Sequence, residues 1–432
     1  MEPLTIGFIA LVLFLVLILT GLPVGVTALL VSIVGMYFIT GFDQMTSFIG
    51  YMPFGLTSLY GLSVIPLFII MGYFIFHSGF VRDLFFTARQ WLGHFPGGLA
   101  MATAFGNAGF GAVSGSSLAA ASVFGKTAVP ELRKYGYDPK LATGIVAASG
   151  TMSVMIPPSV ILVMYGILAE QSVATLFIAG IIPGILEAIS YALVVWGRCT
   201  INPKLGPKMP KASWKERIIS LKGIWGVVLL IVIVLGGLFM GFFTPTEAGG
   251  IGAMGALLIG LFSKRLNWSG VRTSLMDAVR TCAMLFILLA GILMFMRLLA
   301  FSGVTAAITS SIAELPLPPV AVLIALLVVS LIYGFFLSAV GLLAIVVPIF
   351  LPALTAMGIS PIVFAILLVR VIECGQITPP VGIVVYAVKA VVPDVPLEDI
   401  FKGILPFFYA DLANIALMIA FPAIILFLPN LM

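Results

Sequence analysis

Apolar runs of membrane-spanning length recur from one end of this 432-residue chain to the other, and no other feature constrains its fold so tightly. A helix needs about 20 consecutive apolar residues to cross the hydrocarbon of a bilayer. Inside hydrocarbon, only helices and closed barrels satisfy every backbone N–H and C=O. These runs lack the residue-by-residue alternation of barrel strands, so the sequence predicts an all-α polytopic membrane protein embedded in a lipid bilayer. Composition agrees: 62% of the residues are hydrophobic and 9% charged, where soluble domains carry about a quarter charged residues. The net charge of +5 sits in short loops beside apolar segments. That is the positive-inside bias of membrane proteins, and it gives no reason to expect a nucleic-acid partner. No basic residue precedes Arg82, so residues 4–20 read as a retained span rather than a cleaved signal. Cys199, Cys282 and Cys374 are too scattered to form a metal or disulfide pattern.

Charge also predicts the topology. Most Lys and Arg fall in four segments, 78–94, 125–140, 197–222 and 263–280, all expected on the cytoplasmic side. Residues 97–124 lie between the first two and must enter and leave on the same side. They are expected to form a re-entrant hairpin with its tip near Ser114–Ser117. A second hairpin is expected over 319–357, entering from the opposite face with its tip near 333–341.

Two long runs are interrupted by adjacent prolines, "MIPPS" (155–159) and "ITPPV" (377–381). Each proline removes a backbone donor and crowds the preceding turn, so each run, 141–168 and 361–388, is expected to be a discontinuous helix. Sliding the chain by 222 residues superposes Pro23, Pro96, Pro130, Pro139, Pro157, Pro158 and Pro207 on Pro245, Pro318, Pro352, Pro361, Pro379, Pro380 and Pro429. The same shift carries Ser116 onto Ser338. Two homologous halves, 1–197 and 223–432, therefore join through a basic linker at 198–222, and the charge topology inserts them with opposite orientation. Inverted repeats of this kind build secondary transporters, whose broken helices expose carbonyls and half-helix ends near the bilayer midplane.

Each Pro-Pro break lies 41 residues after its hairpin serine, so tip and break are expected to face each other twice. A hard monovalent cation needs several oxygen ligands, which hydroxyls and unpaired carbonyls supply. The first candidate cation site comprises Ser114, Gly115, Ser116, Ser117, Gly150, Thr151, Ser153 and Pro157. The second comprises Gly334, Ser338, Gly375, Gln376, Thr378 and Pro379. Ser116, Ser159, Ser338 and Arg370 are the candidate substrate contacts. Simple proline kinks packed by small residues are the competing structural reading.

Arg370 and Glu373 share a helix face three residues apart and are expected to neutralise each other, the alternative being contact of Arg370 with a substrate carboxylate. Arg297 is expected to snorkel to the interface. His77 and His94 read as ordinary interfacial residues, and Glu247 as a helix cap. "GAVSGSS" (111–117) offers serines, but no histidine lies in a span to activate one as a nucleophile. "GKT" (125–127) lacks the upstream glycine of a phosphate-binding loop, Ala120 standing there. A transporter, not an enzyme, is the reading, with no cofactor beyond a coupling cation.

The stretches "SGSSLAAASVFGKTAVPELRKYGYDPKLATG", "IPPSVILVMYGILAEQSVATLFIAGIIPG", "FTPTEAGGIGA" and "ECGQITPPVGIVVYAVKAVVPDVPLEDIFKGILPF" resemble the large membrane subunit of tripartite ATP-independent periplasmic (TRAP) transporters. The resemblance runs over nearly the whole chain. It implies sodium-coupled, elevator-type uptake of a small organic acid across a bacterial inner membrane. It also implies two partners, a small (Q-type) membrane subunit and a soluble periplasmic substrate-binding protein. Family members commonly place an Asp in the second hairpin tip, where this chain has Ser338. A stand-alone sodium/dicarboxylate carrier of the same superfamily is the alternative.

Overall fold

The computed structural model describes residues 2–58 and 60–432, and every regular element among them is helical, with no strand. The chain opens with α1 (Pro3–Leu19), α2 (Val24–Thr40), α3 (Phe42–Thr57), α4 (Val64–His77) and α5 (Phe80–Leu92). A helix–turn–helix unit follows, α6 (Gly98–Ser114) and α7 (Ser117–Lys134), then an interrupted pair, α8 (Pro139–Met155) and α9 (Val160–Leu168), then the long α10 (Val173–Ile201). After residues 202–213 come α11 (Trp214–Phe239), α12 (Pro245–Phe262), the 35-residue α13 (Trp268–Ser302) and α14 (Val304–Ala313). A second helix–turn–helix unit, α15 (Pro319–Gly334) and α16 (Ala339–Ala356), precedes a second interrupted pair, α17 (Pro361–Ile377) and α18 (Ile383–Val391). The chain closes with α19 (Leu397–Ala420) and the short α20 (Ala423–Leu426).

Seven helices among the described residues are long and apolar enough to cross a bilayer, and α8 with α9, bent by 44° at their break, makes an eighth. The fold is that of an all-α polytopic membrane protein. α7 and α16 are each 18 residues long with bounds 222 apart at both ends, and α8 and α17, 17 residues each, show the same offset. The basic linker is shorter than charge alone suggests. α10 extends to Ile201 and α11 begins at Trp214, so only residues 202–213 are free of helix.

Local chemistry sets many of the boundaries. Asp138 caps α8, accepting from Lys140 N at 2.8 Å and Leu141 N at 3.1 Å, and Pro139 fills the first helical position, where no donor is missed. Thr244 and Glu247 form a reciprocal capping box at the start of α12, the Glu247 carboxylate accepting from Thr244 N at 2.8 Å. This agrees with the capping role expected for Glu247. Helices cross closely where both lack side chains. A Cβ on Gly291 of α13 would lie 2.0 Å from Gly25 O of α2, and one on Gly144 of α8 would lie 2.4 Å from Gly403 of α19. Without a hydrophobic drive between helices in lipid, such backbone approaches supply much of the packing.

Two packing groups result. α6–α10 pack with α15–α19, while α1, α2, α4, α5, α11, α12 and α13 pack among themselves. The groups join through an extensive α5–α6 contact and through α4 on α6 and α9, α5 on α7, and α11 on α6 and α10. Burial varies among the spans, from 28% for α11 to 67% for α16, with α12, α13 and α19 alike at 39%.

Candidate functional site

Both turns and both breaks follow from local backbone rules. α6 ends at Gly115, whose φ of 60° favours a residue without Cβ. Ser116 is extended and caps α7, its Oγ accepting from Ala119 N at 3.4 Å. At the second turn Ser338 is likewise extended and caps α16, accepting from Gly341 N at 3.3 Å. α8 stops where Ile156 becomes extended ahead of Pro157 and Pro158, and Ser159 restarts the helix as the cap of α9, accepting from Leu162 N at 3.3 Å. α17 stops at the extended Thr378 ahead of Pro379 and Pro380, and α18 restarts after Gly382, at φ 64°.

Tertiary packing brings these interruptions together. A Cβ on Gly115 would sit 2.7 Å from Pro158 O, so the first turn rests on the first break. Gly111 packs on Ser153, its added Cβ falling 2.5 Å from Ser153 Cα, and Gly150 packs on Ala121. In the second unit a Cβ on Gly375 would lie 2.7 Å from Gly334 C. One cavity of about 420 Å³ is lined by both turns and by residues that flank the two breaks. Ser114–Ala119 and Ser338–Val340 line it from the turns, Val160, Ile161 and Ile383 from the restarted helices, and Glu373 and Gln376 from α17. Its remaining wall comes from α4 and α13, including Tyr73 and Thr281, whose hydroxyls are 2.8 Å apart. The cavity therefore lies between the two packing groups.

The first turns of α7, α9, α16 and α18 all contribute to this cavity. The leading N–H groups of a helix have no partner within it and carry partial positive charge, so the four helix starts bring positive ends to a cavity whose lining also holds the acidic Glu373. The oxygens have a different balance. Ser114 Oγ is buried without a hydrogen-bond partner. Thr151 donates to Ala148 O and Thr378 to Cys374 O, each at 2.6 Å, which leaves the lone pairs of both hydroxyls unclaimed. Ser153 donates weakly to Asn107 O at 3.5 Å.

Of the candidate residues, Ser114, Gly115, Ser116, Ser117, Ser338 and Gln376 line the cavity. Gly150, Thr151, Ser153, Pro157 and Ser159 of the first unit and Gly334, Gly375, Thr378 and Pro379 of the second lie outside the lining. Asn107, Ser122, Tyr73 and Thr281 were not anticipated. Asn107 donates to Ser149 Oγ at 2.6 Å in the bundle interior. Its signal was a lone amide in an apolar helix, where a polar side chain needs an internal partner.

Arg370 requires a correction. It does not pair with Glu373, and it does not line the cavity. Its guanidinium forms ion pairs with Glu187 of α10, at 2.7 Å, and with Asp411 of α19, and donates to Tyr191 Oη at 3.0 Å. Tyr191 in turn donates to Asp411 at 2.9 Å. Glu373 instead accepts from Gln376 Nε2 at 3.3 Å, and its second carboxylate oxygen is buried without a partner. Spacing three apart put Arg370 and Glu373 near one face, but two acidic residues on neighbouring helices outcompete a local pair. The histidines also have partners: His77 Nε2 lies 3.1 Å from Asp277 and His94 Nδ1 3.3 Å from Arg217.

Residues 11–424 match the family model of the tripartite ATP-independent periplasmic transporter, DctM component. The chain belongs to this family. Among its relatives, this DctM-family chain is 35% identical to a C4-dicarboxylate TRAP transporter large permease of Pseudomonas aeruginosa, over 86% of each chain. It is 30% identical to a sialic acid TRAP large permease of Vibrio cholerae, over 96% of each. With an ectoine TRAP large permease of Halomonas elongata it shares 31% identity over 96% of this chain and 97% of the relative. Its fold is that of the Alcanivorax borkumensis YdaH transporter, with a TM-score of 0.67 at 17% identity over 87% of this chain and 88% of the other.

Proposed function

We propose that this DctM-family chain is the transporting subunit of a sodium-coupled TRAP system that takes up a carboxylate-bearing solute across a bacterial inner membrane. The observation that carries the reading is a cavity lined by both turns and by residues flanking both breaks, where four helix starts contribute to a solute-sized space. A carboxylate suits those helix starts, and the relatives named for C4-dicarboxylates and sialic acid transport carboxylates.

Sodium binds, in this reading, behind each turn. Ser114, Ser116 and Ser117 act with Gly150, Thr151, Ser153 and the carbonyls before Pro157 at one site. Gly334, Ser338, Gly375, Gln376 and Thr378 act with the carbonyls before Pro379 at the other. The unpartnered Ser114 Oγ supports the first. The 222-residue offset of helix bounds supports two halves, and the charge of the loops supports their inverted insertion. The α6–α10 and α15–α19 group moves against the group holding α4 and α13, carrying the cavity in an elevator motion. Arg370 holds that moving group together and does not contact solute. A small membrane subunit and a soluble periplasmic binding protein complete the system.

The test is uptake into proteoliposomes under an inward sodium gradient, with each partner added or omitted and organic acids of several classes offered. Uptake requiring sodium and both partners is the expected result. Sodium-driven uptake by the chain alone would make it a self-sufficient dicarboxylate-type carrier, and sodium-independent uptake would remove the coupling.

A further inference from the structure

A buried arginine far along the chain from the cavity residues has no counter-charge. Arg217, near the start of α11, is 6% exposed, and no carboxylate lies within ion-pair distance of it among the described residues. The acids of the same basic region are committed elsewhere. Glu216 accepts from Ser213 N at 2.7 Å and Ser213 Oγ at 2.8 Å, Glu131 pairs with Arg89 at 2.7 Å, and Asp83 pairs with Arg265. A guanidinium cannot shed its proton in a protein, so its burial calls for an anion.

The site around it is built. Arg217 Cζ lies 5.3 Å from the ring centroid of Trp214 and 5.8 Å from that of Trp91, and the two indoles meet edge to face at 6.2 Å. Its Nη2 lies 3.3 Å from His94 Nδ1. Burial, then the charges of Arg217 and Lys211, hold His94 below the ordinary histidine pKa, which keeps it a neutral acceptor. Two donors of the cluster, Arg217 Nε and Trp91 Nε1, are buried without partners. The linker is tied to the same place by Met209 N donating to Gly93 O at 2.9 Å.

The surroundings identify the anion. Residues 198–222 hold seven Lys and Arg and one acid. Lys211 acts on His94 through its charge, Lys215 stands two positions before Arg217, and both are exposed. Trp214 is 65% exposed, and Ile218, Val228 and Val232 continue an exposed apolar face along α11. Tryptophan and lysine at the end of a lipid-facing helix mark the headgroup level, and such basic excess favours anionic lipid. We propose that Arg217, framed by Trp91 and Trp214 and flanked by Lys211 and Lys215, binds the phosphate of an anionic phospholipid headgroup. The bound headgroup fixes the start of α11 and the linker against the α5–α6 turn. None of these residues lines the transport cavity, so the proposal stands apart from the uptake reading.

The experiment is native mass spectrometry and thermal unfolding of the full chain in detergent, with phosphatidylglycerol, phosphatidylcholine or inorganic phosphate added. Wild type should retain phosphatidylglycerol and unfold at higher temperature in its presence. Arg217→Gln should weaken that response about tenfold, as loss of a charged hydrogen bond does, while Lys402→Gln leaves it unchanged. If Arg217→Gln does not fold, the double variant Lys211→Gln/Lys215→Gln reads the same site through weaker binding and a shallower salt dependence, and an unaltered response there refutes the proposal. Equal stabilisation by phosphatidylcholine removes the anionic requirement, and stabilisation by inorganic phosphate alone moves the ligand from lipid to solution. Lipid retention unchanged in Arg217→Gln, with loss of the copurifying small subunit, would assign Arg217 to a protein carboxylate instead.

Discussion

A half-buried threonine and a buried arginine illustrate how differently polar groups are used here. Thr378 already donates its proton to Cys374 O, so its oxygen is left as an acceptor beside the second break. Replacing it with Val keeps the shape and removes the oxygen. Sodium titrations of uptake should show half-maximal activation at about tenfold higher sodium in Thr378→Val, the worth of one lost ligand. Unchanged activation would eliminate the second ion site as drawn. Arg370 differs because its partners are charged. Arg370→Ala strands Glu187 and Asp411, at 1% and 0% exposure, without a cation. Breaking such a group by removing one partner costs about 3–5 kcal/mol. Thermal unfolding in detergent should register that loss, and adding Glu187→Gln and Asp411→Asn to the variant should restore much of it. A stable Arg370→Ala single variant with defective solute binding would return Arg370 to the substrate site.

At the scale of helices, close crossings matter more than apolar area. α15 and α17 meet with Gly334 against Gly375, and α15 belongs to the second hairpin while α17 carries Glu373, Gln376 and the second break. Gly375→Ala would place a methyl against backbone that cannot move aside. The expected cost is about 1–3 kcal/mol, and uptake should fall with it because the turn and break lose their register. Gly250 of α12 has open space where a Cβ would stand, so Gly250→Ala should leave uptake intact and stabilise by about 0.5–1 kcal/mol. Equal unfolding temperatures for the two variants would contradict the packing argument.

For the whole molecule, the cavity between two packing groups makes a prediction about exposure to solvent. Ser122 lines the cavity, and the natural cysteines are buried at Cys199 and Cys374 and half-buried at Cys282. In a background with those three changed to Ser, Ser122→Cys should react with a membrane-impermeant thiol reagent from one side of the membrane. Sodium and solute together should slow the labelling. Labelling unaffected by both would mean that the cavity is not the transport path.

Much of this architecture was legible in the residues because it depends on local rules. Hydropathy alone demands helices in hydrocarbon, adjacent prolines demand breaks, and Gly115 and the serine caps mark where helices stop and restart. Proline spacing also exposed the 222-residue offset that the bounds of α7, α8, α16 and α17 share. What the tertiary structure decided was partnership. Arg370 faces Glu187 and Asp411, 183 positions earlier and 41 later, rather than Glu373 one turn away. Tyr73 and Thr281 close the cavity from helices that carry no motif, and Arg217 is buried against two indoles although it lies in the basic first turn of α11. Backbone conformation is dictated over a few neighbouring residues, so sequence carries it. Charge pairing and cavity walls depend on which helices meet, and that is set by packing across the whole chain.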